Sequence, residues 1–362
     1  MWIFLLLGAG LFMGWSLGTN DAANAFGTAV ATRVVKYRTA IIIIAIMVML
    51  GAVLLGHNNI NKLSSIATNN DVVASAEDVN AAIENGTLAD LRLKSALKAF
   101  IVFACAAITV FIMSYLKFPV SANQSITGAV IGWGLCYANY SDPEVLKVNL
   151  TEMLEFASTW IINPLGAALI SFVLVFVVKK FIEKRLTTMK HYDLIVKLGY
   201  IAAGAFSAFS IGQNSSASVT AFYYDATGAG ANLIYGNDGF LTGARIAAII
   251  GGIAIAVGVL TFSKRVMMTV GGEIAEITQI DGFVVIIASA LTVVLMGKLM
   301  GIPVSTSQSV VGAVIGAGLV NGVKTVHFGV FKRIAIAWVS SPTAAGLLTY
   351  LVALATKGYF AA

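Results

Sequence analysis

"FPVSANQSITGAVIGWGL", residues 118–135, decides the architecture because the chain carries it twice. "IPVSTSQSVVGAVIGAGL" at 302–319 repeats the frame P-V-S-x-x-Q-S followed by G-A-V-I-G-x-G-L. Two further marks recur in the same order. "GTNDAANA" (18–25) is answered by "GQNSSASV" (212–219), and "WIINP" (160–164) by "WVSSP" (338–342). Three ordered matches divide the chain into two related halves, 1–178 and 198–362. The basic stretch "KKFIEKRLTTMKHYDLIVK" (179–197) links them.

The composition places both halves in a bilayer. Of 362 residues, 58% are hydrophobic and 11% charged, against about 25% charged in a soluble domain. Runs such as "AIIIIAIMVMLGAVLLG" (40–56) and "ALISFVLVFVV" (168–178) recur along the chain; about 20 apolar residues cross the ~30 Å of hydrocarbon. The expected fold class is therefore an all-α integral membrane protein of about 10–12 membrane segments, built from inverted repeats with broken helices or hairpins. The formal charge of +6 sits in short loops between spans, which is not a nucleic-acid footprint. Cys105 and Cys136 lie inside apolar runs, so no disulfide framework is expected. His57, His191 and His327 are far apart, with no metal-ligand spacing and no nucleotide-binding loop nearby. This argues against an enzyme, and no cofactor is expected. The first apolar run lacks a basic leader and continues into "GTNDAANA", so it is read as structural.

Five crossings are expected in each half: 1–33 (interrupted), 38–56, 96–116, 119–139 and 153–178, then 198–224 (interrupted), 243–262, 282–300, 303–320 and 333–356. With the N-terminus outside, the inner loops hold Arg33, Lys36, Arg38, Lys117, the six Lys and Arg residues of 179–197, Lys264, Arg265, Lys324, Lys332 and Arg333. These are 15 of the 23 basic residues, as the positive-inside rule requires. The acid-rich segment 57–95 then falls outside, with a partial helix expected around 58–68. An odd number of crossings makes the second half enter from the opposite side, a plan whose substrate site lies near the midplane between the repeats.

The polar residues in this apolar frame carry the chemistry. Asp21 has no cation one helical turn away; Arg33 is twelve positions on. A lone carboxylate in a span must face protein, water or an ion. Gly14 and Gly18 suggest a broken helix, whose freed carbonyls with Asp21, Asn20 and Asn24 would make an oxygen-rich cage for a hard cation. The competing reading is a structural pair or cap. In each P-V-S-x-x-Q-S stretch, Pro119 or Pro303 is expected to open a helix, with Ser121 or Ser305 near its first amides. Unpaired N–H groups and the dipole make such an end an anion seat. Ser121, Asn123, Gln124, Ser125 and Thr127 add polar groups there, as do Ser305, Thr306, Ser307, Gln308 and Ser309. The glycines after each frame read as close helix packing. Trp160 and Trp338 read as packing or interface residues, and Pro164 and Pro342 as kinks. No Lys or Arg lies inside these motifs. An oxyanion could then be buried only with cations beside it, so the two should strengthen each other's binding reciprocally.

At these residues the chain resembles the inorganic phosphate transporter (Pit) family, whose signature G-A-N-D-x-A-N-A is close to "GTNDAANAFGT". The resemblance covers essentially the whole chain. It implies an importer of inorganic phosphate driven by a cation, a sodium symport working by alternating access. It also implies a homodimer in the cell membrane, with both termini outside. Carried over by motif, Asn20, Asp21, Asn24, Asn123 and Ser215 are candidates for sodium, the only metal expected. Ser121, Gln124, Ser125, Asn214, Ser305, Thr306, Gln308 and Ser309 are candidates for phosphate. The second half departs from the signature, with Ser215 where relatives repeat the aspartate and Ser218 for the second asparagine; Asp225 lies ten residues downstream. Proton coupling, metal-phosphate complexes and sulfate stay open within the same class. An anion channel is the alternative outside it.

Overall fold

In the computed structural model, the residues described are 2–59, 72, 76–116, 118, 120–137, 150–181, 188–221, 243–270, 277–300 and 304–361. The described chain is helical, with no sheet among the described residues. The first half contributes α1 (Trp2–Ala31), α2 (Tyr37–Leu55), α3 (Ala76–Glu84), α4 (Leu88–Tyr115), α5 (Ala122–Tyr137) and α6 (Leu150–Phe181). The second half contributes α7 (Met189–Ser215), α8 (Ala217–Thr220), α9 (Gly243–Phe262), α10 (Lys264–Val270), α11 (Gln279–Met300), α12 (Thr306–Asn321) and α13 (Phe328–Ala361). Among the described residues, seven helices are long and apolar enough to cross a membrane. They expose leucine, isoleucine, valine and phenylalanine outward, as on α6 (Ile161, Leu165, Leu169) and α13 (Val339, Leu347). Lipid is the solvent for such faces.

The packing is reciprocal between the halves. The helix that carries the first P-V-S frame, α5, lies along α13; its counterpart α12 lies along α6. In the same way α1 packs on α9 and α7 on α2, while α4 touches α1 and α5 as α11 touches α7 and α12. Glycines set the closest approaches. Gly128 meets the backbone of Pro342, and Gly132 that of Gly346. On the other side Gly312 meets Pro164, and Gly316 meets Ala168. A methyl group at any of these four would collide with main chain, so the G-x-x-x-G frame packs as expected. Residue numbers rise together along both contacts, so α5 runs parallel to α13 and α12 parallel to α6.

Several local expectations need correction. The helix α1 runs unbroken through Gly14 and Gly18. Those glycines admit α9 instead, Gly14 against Ala254 and Gly18 against the backbone of Ile255. The carbonyls that a break would free therefore stay in the helix ladder. The interruption expected in the second half is no more than a bend: Ser216 separates α7 from α8, but it keeps helical dihedrals and its N–H still reaches the Gly212 carbonyl. Pro164 and Pro342 each lie inside one continuous helical element. Trp338 is buried edge-on to Phe331, and Trp160 is half-buried. Both ends of the linker are helical, since α6 reaches Phe181 and α7 begins at Met189. Of segment 57–95, the structure gives a 3-10 turn at Gly56–Asn59, α3 and the start of α4. Most of the helix expected at 58–68, together with Pro119, Pro303, Lys117 and Asp225, lies outside the described residues.

Candidate functional site

The first turns of α5 and α12 meet in the interior. In each, the serine of P-V-S caps the helix: Ser121 Oγ accepts the amide of Gln124 at 3.3 Å, and Ser305 Oγ that of Gln308 at 3.2 Å. These bonds satisfy amides that the helix leaves unpaired. The two caps then cross-brace. Asn123 Nδ2 donates to the carbonyl of Val304 at 3.0 Å, and Ser307, its counterpart in the repeat, donates to that of Val120 at 3.1 Å.

The signature helices lie against the two caps. From α1, Asn24 Nδ2 reaches Asp21 Oδ1 at 3.1 Å, Thr306 Oγ1 at 3.2 Å and Ser307 Oγ at 3.2 Å. Thr306 donates its hydroxyl to Asp21 Oδ1 at 3.1 Å, and Ser215 Oγ accepts from Asn214 Nδ2 at 3.5 Å. From α7, Asn214 clamps Val304 through both ends of its amide, donating to the carbonyl at 2.8 Å and accepting the N–H at 2.9 Å. Ser218 donates to Asn123 Oδ1, the counterpart of the contact between Asn24 and Ser307.

The structure thus gathers Asp21, Asn24, Ser215, Asn214, Asn123 and the residues of both caps into one hydrogen-bonded cluster. Asn20 stands at its edge, donating to Ser114 of α4 at 2.8 Å. Ser125 and Ser309 bond back to the carbonyls of Ser121 and Ser305 at 3.3 and 3.0 Å. Asp21 is 4% exposed and Gln124 and Gln308 are 1% exposed, so charge and amides alike are screened from water. No lysine or arginine is among these hydrogen-bonded partners. Two groups stand out by what they lack. Among the described residues, neither amide atom of Gln124 nor Oε1 of Gln308 has a hydrogen-bond partner. Buried polar atoms left in this way are costly unless something else binds them.

One residue at the cluster escaped the motif reading. Asn163 of α6 donates to the carbonyl of Ser305 at 2.8 Å and accepts from Ser309 Oγ at 2.8 Å. Its only signal was membership in the third repeated mark, "WIINP" against "WVSSP". Ser114, on α4, carried no signal at all. No group of three or more His, Cys, Asp or Glu is placed to hold a metal ion among the described residues. A hard monovalent cation would instead find neutral oxygens beside a single carboxylate at Asp21.

Known proteins match this arrangement along its whole length. Residues 17–349 match the phosphate transporter family. A Thermococcus kodakarensis protein named as a phosphate permease is 26% identical over 97% of this chain and 97% of its own. One from Methanocaldococcus jannaschii is 27% identical over 93% and 92%. The chloroplastic inorganic phosphate transporter 2-1 of Arabidopsis thaliana is 24% identical over 96% of this chain and 71% of its own. The fold is also that of a solved structure described as the sodium-dependent phosphate transporter, with a TM-score of 0.76 over 99% of both chains at 23% identity. The stretch that matches the family takes in both signature segments, both caps and Asn163, so the chain belongs to the phosphate transporter family.

Proposed function

We propose that the protein imports inorganic phosphate by sodium-coupled symport with alternating access. The observation that carries this reading is the pairing of a buried carboxylate with two helix N-termini and no basic side chain. An oxyanion lowered between the caps would face Asp21 without a countercharge. Two monovalent cations would bring the pocket from about −3 to about −1, which removes most of the cost of burying like charges. The helix ends and the Gln124 and Gln308 amides supply the polar contacts that phosphate accepts. Ser121, Ser125, Ser305, Ser309 and Asn214 complete the phosphate side. Asn20, Asp21, Asn24, Asn123 and Ser215 complete the sodium side; Thr306, expected among the phosphate groups, joins them because its hydroxyl is turned to Asp21.

The halves 1–178 and 198–362 act as inverted repeats about the linker 179–197. The parallel register supports this: if consecutive spans alternate in direction, α5 opposes α6, so α13, parallel to α5, opposes its own counterpart α6. Exchange of α5 with α13 and of α6 with α12 leaves two interlocked helix pairs that can rock about the caps. The protein sits as a homodimer in the cell membrane with both termini outside, the orientation that keeps the basic loops inside. The name of the solved relative supports sodium as the driving ion.

Uptake of labelled phosphate into liposomes tests the reading. An inward sodium gradient should drive accumulation well above that seen with choline. Equal uptake in choline with a proton gradient would replace sodium by protons. Competition by sulfate equal to that by unlabelled phosphate would widen the substrate. Uptake that never saturates would make the protein a channel.

A further inference from the structure

The two caps share a frame but are not held alike. At α12, the Ser305 carbonyl and Ser309 hydroxyl are both taken by Asn163, at 2.8 Å each. Thr306 is turned to Asp21 and Ser307 to Val120, and Asn214 grips Val304 from the other side. Parallel packing of α12 on α6, with Gly312 against Pro164, puts Asn163 beside this first turn. At α5 the equivalent of Asn163 is Ser341, a shorter side chain. Its hydroxyl is fully buried and has no partner among the described residues. Among the described residues, Ser125 bonds only to the carbonyl of its own turn, and neither atom of the Gln124 carboxamide has a partner.

We infer that the two caps have divided the work: Asn163 fixes the α12 cap as the wall of the cation site, and the α5 cap, through Gln124, takes the oxyanion. Asn163 is a positioning residue. It holds the Ser305 carbonyl, one peptide from Thr306, whose hydroxyl meets Asp21 at 3.1 Å. Losing that clamp lets Thr306 turn away from the carboxylate, and the loss falls on the cation. At the α5 cap the counterpart position of Thr306 is Ala122 and that of Asp21 is Ser215, so that cap has neither the hydroxyl nor the carboxylate that pair at α12. The inference rests on the sodium–phosphate reading proposed for the same site.

The test uses the full chain in liposomes and two titrations: sodium at saturating phosphate, and phosphate at saturating sodium. Asn163→Ser, which gives α6 the residue that α13 carries, should raise half-saturating sodium about tenfold, the scale of one or two buried hydrogen bonds. It should leave the phosphate KM within about twofold. Gln124→Ala should do the reverse, raising the phosphate KM about tenfold, and more than Gln308→Ala does. If Asn163→Ser fails to fold, Asn163→Thr keeps more of the volume, still cannot span both bonds, and should show the same sodium shift at about threefold or more. Equal shifts of both constants in the Asn163 variants, or equal phosphate effects of Gln124→Ala and Gln308→Ala, overturn the division of labour while wild-type uptake still supports the transport reading. Wild-type protein that neither binds nor moves phosphate overturns both.

Discussion

The residues from 20 to 24 on α1 and from 214 to 218, across the junction of α7 and α8, occupy matching places, yet one stretch keeps a charge and the other has lost it. Asp21 corresponds to Ser215 and Asn24 to Ser218. The neutral contacts survive the change: Asn24 bonds Ser307, and Ser218 bonds Asn123 in the same relation. The carboxylate survives on one side only, and there it has drawn in Thr306, whose counterpart is Ala122. A duplicated scaffold can therefore keep its bracing symmetric while its electrostatics become one-sided. This suits a site that must hold ions of both signs.

The sharpest way to break the comparison is to remove the charge without the shape. Asp21→Asn should lower sodium-driven phosphate uptake at least about 100-fold, equivalent to about 2.7 kcal/mol. Ser215→Ala, at the matching position, should cost less than about fivefold, because a neutral hydrogen bond contributes about 1 kcal/mol. Both are read as initial uptake rates in liposomes at fixed sodium. Comparable losses from the two substitutions would make the halves electrostatically equivalent and refute the one-sided reading.

A second contrast lies at the far ends of the paired helices. Lys179, near the end of α6, meets the fully buried Asp281 at 3.4 Å and also Asn321 at the end of α12. Asp281 accepts from Asn321 at 2.9 Å and from the amide of Thr278 at 3.2 Å, fastening α11 to both helices. The counterpart, Lys357, pairs with no carboxylate among the described residues; it donates to the Cys136 carbonyl at 3.1 Å and lies over the Tyr137 ring at 5.7 Å. Removing one member of a buried pair strands the other. Lys179→Met should therefore destabilise the protein by about 2 kcal/mol, held below the fully buried range because Lys179 keeps partial access to water. Lys357→Met should cost about 1 kcal/mol. Adding Asp281→Asn to Lys179→Met should recover part of the loss, since the two residues couple directly. Thermal unfolding in lipid nanodiscs measures all three.

The parts of this structure that were legible in advance share a cause. Membrane spans, the repeat, the glycine contacts and the serine caps depend on local pattern, and pattern is what a chain displays. Chance does not duplicate P-V-S-x-x-Q-S, so both caps could be placed before any contact was known. Three things were not legible, each for a physical reason. Gly14 and Gly18 were read as a break because glycine lowers helix propensity, but a close neighbour uses the same missing side chain as a place to pack. Asn163 is 142 residues from Ser305, and its partner atom is a main-chain carbonyl that any residue type supplies. The network of Lys179, Asp281 and Asn321 joins three helix ends, and none of its residues lies in a repeated mark. Asp281 has no acidic counterpart in the first half to call attention to it.

A third comparison tests the charge asymmetry from its neutral side. Thr306→Val keeps the shape of the side chain and removes the hydroxyl donated to Asp21. Half-saturating sodium should rise about fivefold or more, about 1 kcal/mol, the net scale of one hydrogen bond. Ala122→Thr, which places the same hydroxyl in the matching α5 position, should change it by less than about twofold, because Ser215 offers no carboxylate to receive it.

The smallest effect concerns the place where the halves still agree, and it should be the same on both sides. Gly128 approaches Pro342 as Gly312 approaches Pro164, main chain against main chain. A methyl group at either glycine would lie 2.1 Å from a carbonyl oxygen, well inside contact distance, so the parallel helices must move apart at the contact. Overpacking of this kind costs about 1 kcal/mol or more, partly offset by the gain in helix propensity on replacing glycine with alanine. Gly128→Ala and Gly312→Ala should therefore destabilise the protein by similar amounts, each about 1 kcal/mol, in the same nanodisc unfolding assay. Their effects on transport should differ. Gly312→Ala moves α12 relative to Asn163, so it should also raise half-saturating sodium. Gly128→Ala moves α5, which carries Gln124, and should act on the phosphate KM. Equal stability losses with opposite kinetic signatures are what a symmetric scaffold carrying an asymmetric site must give. Unequal stability losses would mean that the packing, too, has diverged.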